Sequence, residues 1–78
     1  MTKLPLISSQ DMEKMLKHLG FERKRQVGSH VFYWHLDGRT TVIPFHQGEE
    51  LGRGLLRKIL RDIKLEPEEY IILKQSVL

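Results

Sequence analysis

The sequence predicts an α+β fold in the order α-β-β-β-α, a three-stranded antiparallel sheet with both main helices on one face and a short C-terminal helix appended. Three observations carry this prediction. Apolar residues recur with helical period in two segments, Met12 to Leu19 and Leu55 to Ile63. Between them the residue types change to aromatic and β-branched, as in strands. Two turn signals, Gly28-Ser29 and Asp37-Gly38, divide that middle region into three short runs. One such layer of helices leaves the other face of the sheet partly open.

Each element has its own justification. Ser8 is an N-cap residue with Asp11 three positions on, a capping-box-like pair that also suits the positive helix end. Met12, Met15, Leu16 and Leu19 then form one apolar stripe. Gly20 is the expected stop, and Phe21 folds back on the last turn. Phe21 to Gln26 is a charged strand candidate, and His30 to Leu36 is the second strand. Asp37-Gly38 reads as a two-residue hairpin turn with positive φ at both positions. Arg39 to Ile43 returns as the third strand, ended by Pro44. Gln47 to Gly54, polar with three glycines, is a loop. Leu55, Leu56, Ile59, Leu60 and Ile63 mark the second helix, with Arg57, Arg61 and Lys64 on its opposite side and Lys58 nearby. Pro67 belongs in the first turn of a short closing helix that ends near Leu73.

Seventy-eight residues suffice for one domain, 1–78, and little more. A chain of this size has scant room for a deep small-molecule cavity, and a surface site for a polymer suits it better. The absence of cysteine excludes disulfides, thiolate nucleophiles and thiolate metal sites, in keeping with a reducing cytoplasm. No signal peptide or apolar run of membrane-spanning length is recognisable. The net charge of +3 is unevenly spread: residues 23–64 hold nine Lys/Arg against four Asp/Glu, whereas residues 65–78 hold one against three. A positive middle is the footprint expected for a polyanion, although a merely solvated basic surface has the same composition.

Three ordered segments carry a family resemblance: Leu19-Gly20-Phe21; Gly28-Ser29-His30 with the strand through Tyr33; and Ile43-Pro44-Phe45-His46, continuing through Gly54 and Leu56-Arg57 to Ile59-Leu60. Over about Ser8 to Ile63 the chain resembles the HicA toxins of bacterial and archaeal HicA–HicB toxin–antitoxin systems. The resemblance implies a fold similar to the double-stranded-RNA-binding domain, activity as an mRNA interferase (an endoribonuclease acting on messenger RNA), and silencing by a HicB antitoxin that covers the active site. It places the family's essential histidine at His30. One departure is Leu55, where many relatives have a threonine or similar residue, and this weakens a helix cap rather than the catalytic motif.

Metal-free RNA cleavage needs a base for the 2′-hydroxyl proton, an acid for the leaving oxygen, and positive charge for the phosphorane. Imidazole suits the proton steps near neutrality. His30 is the main candidate, presented by a turn that Gly28 and Ser29 permit; the alternative is an ordinary strand histidine. His46, just past the third strand, either shares the acid and base roles or caps the loop and binds phosphate. His35 is expected on the strand surface beside the turn, and His18 on the exposed side of the first helix. The four histidines show no ligand spacing, so no metal or cofactor is expected. Lys24, Arg25, Arg39, Arg57, Lys58 and Arg61 are the candidate phosphate contacts, supplying affinity rather than sequence choice. His30, Phe32 and Trp34 share one strand face, and Val31, Tyr33 and His35 the other; the sequence leaves open which face meets the helices. A non-catalytic RNA-binding module, or a subunit whose basic surface docks an acidic protein, are the competing functions.

Overall fold

Ser8 opens the first helix as its sequence predicts, its side-chain oxygen accepting the Asp11 backbone N–H at 3.1 Å. The computed structural model describes residues 3–46 and 48–78; Met1, Thr2 and Gln47, the first residue of the expected loop, lie outside the described residues. The elements are α1 (Ser9–His18), β1 (Glu22–Val27), β2 (His30–Trp34), β3 (Thr40–Pro44), α2 (Arg53–Ile63) and α3 (Pro67–Val77). The strands form an antiparallel sheet in the order β1-β2-β3, so the α+β, α-β-β-β-α reading holds.

The end of α1 is a Schellman motif. Phe21 N–H reaches Leu16 C=O at 2.9 Å and Gly20 N–H reaches Lys17 C=O at 3.1 Å, with Gly20 at φ +95°. A Cβ on Gly20 would lie 3.0 Å from His35 Nε2. Gly20→Ala therefore combines a left-handed backbone with a close contact. It should lower stability by more than about 1 kcal/mol, read as a reduced urea midpoint.

Register fixes the two faces. Val31 and Tyr33 of β2, with Thr41 and Ile43 of β3, are buried beneath the helices. They join Leu4, Ile7, Met12, Met15, Leu16, Phe21, Leu51, Leu56, Ile59, Leu60, Ile63 and Tyr70 in one core. β1 is exposed along its whole length, and a bulge at Lys24, between the pairs Arg23–Tyr33 and Arg25–Phe32, kinks this edge strand.

Three expectations are corrected. The second hairpin has a three-residue loop, Leu36-Asp37-Gly38, closed by His35 N–H to Arg39 C=O and Gly38 N–H to His35 C=O, both at 2.9 Å. Only Gly38 there has positive φ. The Asp37 carboxylate accepts the Arg39 backbone N–H at 3.0 Å and Arg39 Nε at 2.8 Å, which fixes the turn without positive φ at Asp37. The closing helix is also not short: α3 matches α2 in length and continues to Val77. Ile71, Leu73 and Val77 pack against the core, and Tyr70 Oη donates to Pro5 C=O at 2.6 Å, so the last turns have apolar contacts of their own. Finally, His35 is not a free surface residue. Its Nδ1 accepts the Asp37 N–H at 3.1 Å, its Nε2 meets Leu19 C=O at 3.2 Å, and its ring packs edge-on to Phe21.

Candidate active site

One end of the sheet gathers the residues of interest. Gly28, at φ +58°, turns the chain between β1 and β2, and His30 follows at once, paired with Val27 on one side and Pro44 on the other. Phe45 N–H donates to Ser29 C=O at 2.7 Å, stitching Gly28-Ser29-His30 to the segment Pro44-Phe45-His46. Ser9 Oγ donates to Pro44 C=O at 2.8 Å, bringing the start of α1 to the same end. Leu51 N–H bonds Ile7 C=O at 2.8 Å, which brings the start of α2 there too. Both helices thus direct positive dipole ends toward this region. α2 begins at Gly52 with no side-chain cap and no acidic residue in its first turn. Its first N–H groups are consequently open to an anion such as phosphate.

His30 is exposed and lies with Phe32 and Trp34 on the face that the helices leave uncovered, which settles the question of faces. His46 is exposed two residues beyond Pro44, a chain reach of about 7 Å. It lines a cleft of about 300 Å³ with Ser9, Gln10, Phe45, Gly48 and Glu49. The two histidines therefore flank the same sheet end from different sides.

The cations divide into separate groups. Arg25 lies on the open face with its guanidinium 4.8 Å from the Phe32 ring centroid, and Lys24 is exposed on the adjoining bulge. Arg39 belongs to the far end of the sheet and is held inside the fold. It bonds Asp37 and the Ile63 carbonyl, and it covers the Phe21 ring at 5.0 Å. Lys58 is paired with Asp62 at 2.9 Å, whose carboxylate also accepts from Thr41 Oγ1 at 3.0 Å. Arg57 and Arg61 are exposed and form no ion pair among the described residues. With Lys64 they line a recess of about 540 Å³ floored by Leu4, Leu60 and Leu65. α2 packs against β3 on the side opposite His30, so this basic recess and the imidazole do not share a face.

Sequence reasoning missed the best-formed charged cluster. Glu13 of α1, 9 % exposed, accepts from Arg23 Nε at 3.0 Å and Nη2 at 2.6 Å, from Lys17 at 3.0 Å, and from the Tyr33 hydroxyl. Burial alone would raise the Glu13 pKa, but the hydrogen bonds from Arg23, Tyr33 and Lys17 outweigh it and hold the carboxyl down at about 2. Burial and the Glu13 charge push the Tyr33 phenol upward. Arg23 also covers the Phe45 ring at 5.3 Å, so the cluster braces the segment leading to His46. A glutamate beside Met12 at the edge of an apolar stripe was its only sequence signal. Among the described residues, no group of three or more His, Cys, Asp or Glu is placed to hold a metal ion, and no helix is long and apolar enough to cross a membrane.

Comparison with known proteins agrees with the motifs. The model of a family described as the HicA toxin of bacterial toxin–antitoxin systems matches residues 9–65. A protein of Pseudomonas fluorescens (strain Pf0-1) called probable mRNA interferase HicA is 36 % identical over 56 residues, covering 72 % of this chain and 92 % of that protein. The matched span runs from the first turn of α1 to just past the end of α2 and includes the sheet end around His30 and His46, so this chain belongs to the HicA family of bacterial toxin–antitoxin toxins.

Proposed function

We propose that this protein is an endoribonuclease toxin acting on messenger RNA in the cytoplasm, with His30 transferring a proton at the scissile phosphate. Cleavage of this class forms a bond from the 2′-oxygen to phosphorus and breaks the bond from phosphorus to the 5′-oxygen. One proton leaves the 2′-hydroxyl and one arrives on the departing oxygen. The observation that carries the reading is an exposed histidine in a Gly-Ser-His turn, at the sheet end toward which an uncapped helix N-terminus points. His30 serves as general base or acid, and His46 supplies the complementary proton transfer or a phosphate contact. The open N–H groups at the start of α2, with Lys24 and Arg25, stabilise charge on the phosphorane. None of these steps asks for a metal.

The test is incubation of the purified protein with a long unstructured RNA in the presence of EDTA. Fragments are the expected result. RNA bound but uncut under all conditions would overturn the enzyme in favour of a binding module of the same fold.

The family relationship supports a HicB-like antitoxin as partner, and the recess lined by Arg57, Arg61 and Lys64 offers it a basic, apolar-floored surface. Arg57 and Arg61 also remain candidates for RNA phosphates. Charge reversal of both, Arg57→Glu with Arg61→Glu, should weaken RNA binding at least tenfold at low salt and reduce the slope of log affinity against log salt by about two. Unchanged RNA affinity with lost antitoxin binding would assign the recess to the antitoxin alone.

A further inference from the structure

The uncovered face of the sheet carries more than His30. Its neighbours on β2 are Phe32 and Trp34, at alternate positions of one strand and about 6.7 Å apart at each step. An extended, unstacked nucleic-acid strand advances through a similar span with each nucleotide. Arg25, on the adjacent edge strand, already stacks its guanidinium on Phe32, and Trp34 is 40 % exposed although no charge needs to hold it at the surface. The remaining residues on this face, Val27, Thr40, Val42 and Pro44, are small or apolar, with Glu22 opposite Trp34 as its acidic member. β1 brings Lys24 and Arg25 against that one carboxylate, while Arg23 turns to Glu13 on the covered side, so the platform keeps a net positive edge.

We propose that this face is a base-stacking subsite for single-stranded RNA, continuous with the cleavage centre. With the scissile phosphate at His30, Phe32 and Trp34 receive the two bases on one flank, and Arg25 pairs with the intervening phosphate or stacks on the first base. This deepens the nuclease reading, on which it rests, by naming the substrate as unpaired RNA. A sheet face carrying an exposed Trp34 beside a half-buried Phe32 suits the faces of unpaired bases, whereas a paired helix hides its base faces and offers only its backbone and shallow groove. A protein partner would meet the same apolar face but would gain nothing from the one-nucleotide spacing of its rings, nor from the positive edge unless it were acidic.

Trp34 is the chain's one tryptophan, so its fluorescence reports on this subsite directly. The probe is an eight-nucleotide RNA carrying 2′-O-methyl groups throughout, which can bind but cannot be cut through its 2′-oxygen. Titration into the whole protein should quench Trp34 strongly, and the same oligonucleotide annealed to its complement should quench it several-fold less. Trp34→Ala should reduce kcat/KM on unpaired RNA by roughly tenfold, mainly through KM, with Trp34→Phe retaining most of it. Phe32→Ala, followed through Trp34 emission, should weaken oligonucleotide binding to a similar degree. Equal quenching by duplex and single strand, or no quenching while the RNA is still cleaved, would overturn the proposal. So would shielding of Trp34 by an antitoxin protein but never by RNA. Quenching by the single strand from a protein that cuts no RNA would preserve the subsite and discard the nuclease, so the two readings fail separately.

Discussion

Replacing His30 by alanine is expected to lower the rate of RNA cleavage by about 10²–10⁴, the usual contribution of one well-placed acid or base. The thermal midpoint should scarcely move. His30 is exposed at the start of β2, and its backbone pairing with Val27 and Pro44 survives the change. The measurement is initial cleavage rate for both proteins on one unstructured RNA, with melting curves alongside. A variant that folds normally and cuts at the parent rate would remove His30 from the chemistry. The parallel variant His46→Ala separates the two roles open to that residue. A fall in kcat comparable to that of His30→Ala marks a second proton-transfer group, whereas a rise in KM at near-constant kcat marks a phosphate contact.

The second large effect concerns stability and pH. Glu13 has a pKa lowered from 4.5 to about 2 in the fold, because the hydrogen bonds from Arg23, Tyr33 and Lys17 outweigh the opposing effect of burial. A depressed carboxylate pKa stabilises the native state above the unfolded value, and that stabilisation disappears as pH falls toward the folded value. Linkage sets the contribution near neutrality at about 3 kcal/mol. Lys17 and Arg23 are 59 % and 44 % exposed at their side chains, so solvent screening brings the expected figure to about 2 kcal/mol. Glu13→Gln should therefore lower stability at pH 7 by about 2 kcal/mol, roughly 10 °C in melting temperature for a domain of this size. Between pH 5 and pH 2 the parent should lose stability steeply and the variant much less, with the two curves converging at the acid end. Denaturant midpoints across that range decide it. Parallel curves would mean that Glu13 ionisation is not coupled to folding.

That cluster also shows where sequence reading stopped. Met12, Met15 and Leu16 announced the buried side of α1 because helical periodicity is a local property. Glu13 sits beside that stripe and reads as an ordinary polar residue. It is buried only because Arg23, ten residues on, and Tyr33, twenty residues on, converge on it across the sheet. Arg39 fails in the opposite sense. It looks like any free cation in a basic segment, yet the turn carboxylate and the end of α2 take it into the fold. The length of α3 is not legible in the sequence because its apolar residues follow no single stripe, and packing of Leu73 and Val77 against the core, rather than helical patterning, sustains its final turns.

The sequence by itself determined the elements, the turn before His30 and the stop at Gly20, since each depends on residues within a few positions of one another, and it determined the family motif through three such local segments in order. It also placed His30, Phe32 and Trp34 on one side of a strand, because alternation is built into extended backbone. Only the tertiary structure decided which side that was. Burial of Val31 and Tyr33 under the helices turned the histidine and its two aromatic neighbours toward solvent. The same packing put the cationic side of α2 on the opposite face, separating two groups of residues that composition had merged into one basic region. Side-chain alternation and helix period are properties of the chain, but the choice of which apolar face meets which is made by the core as a whole.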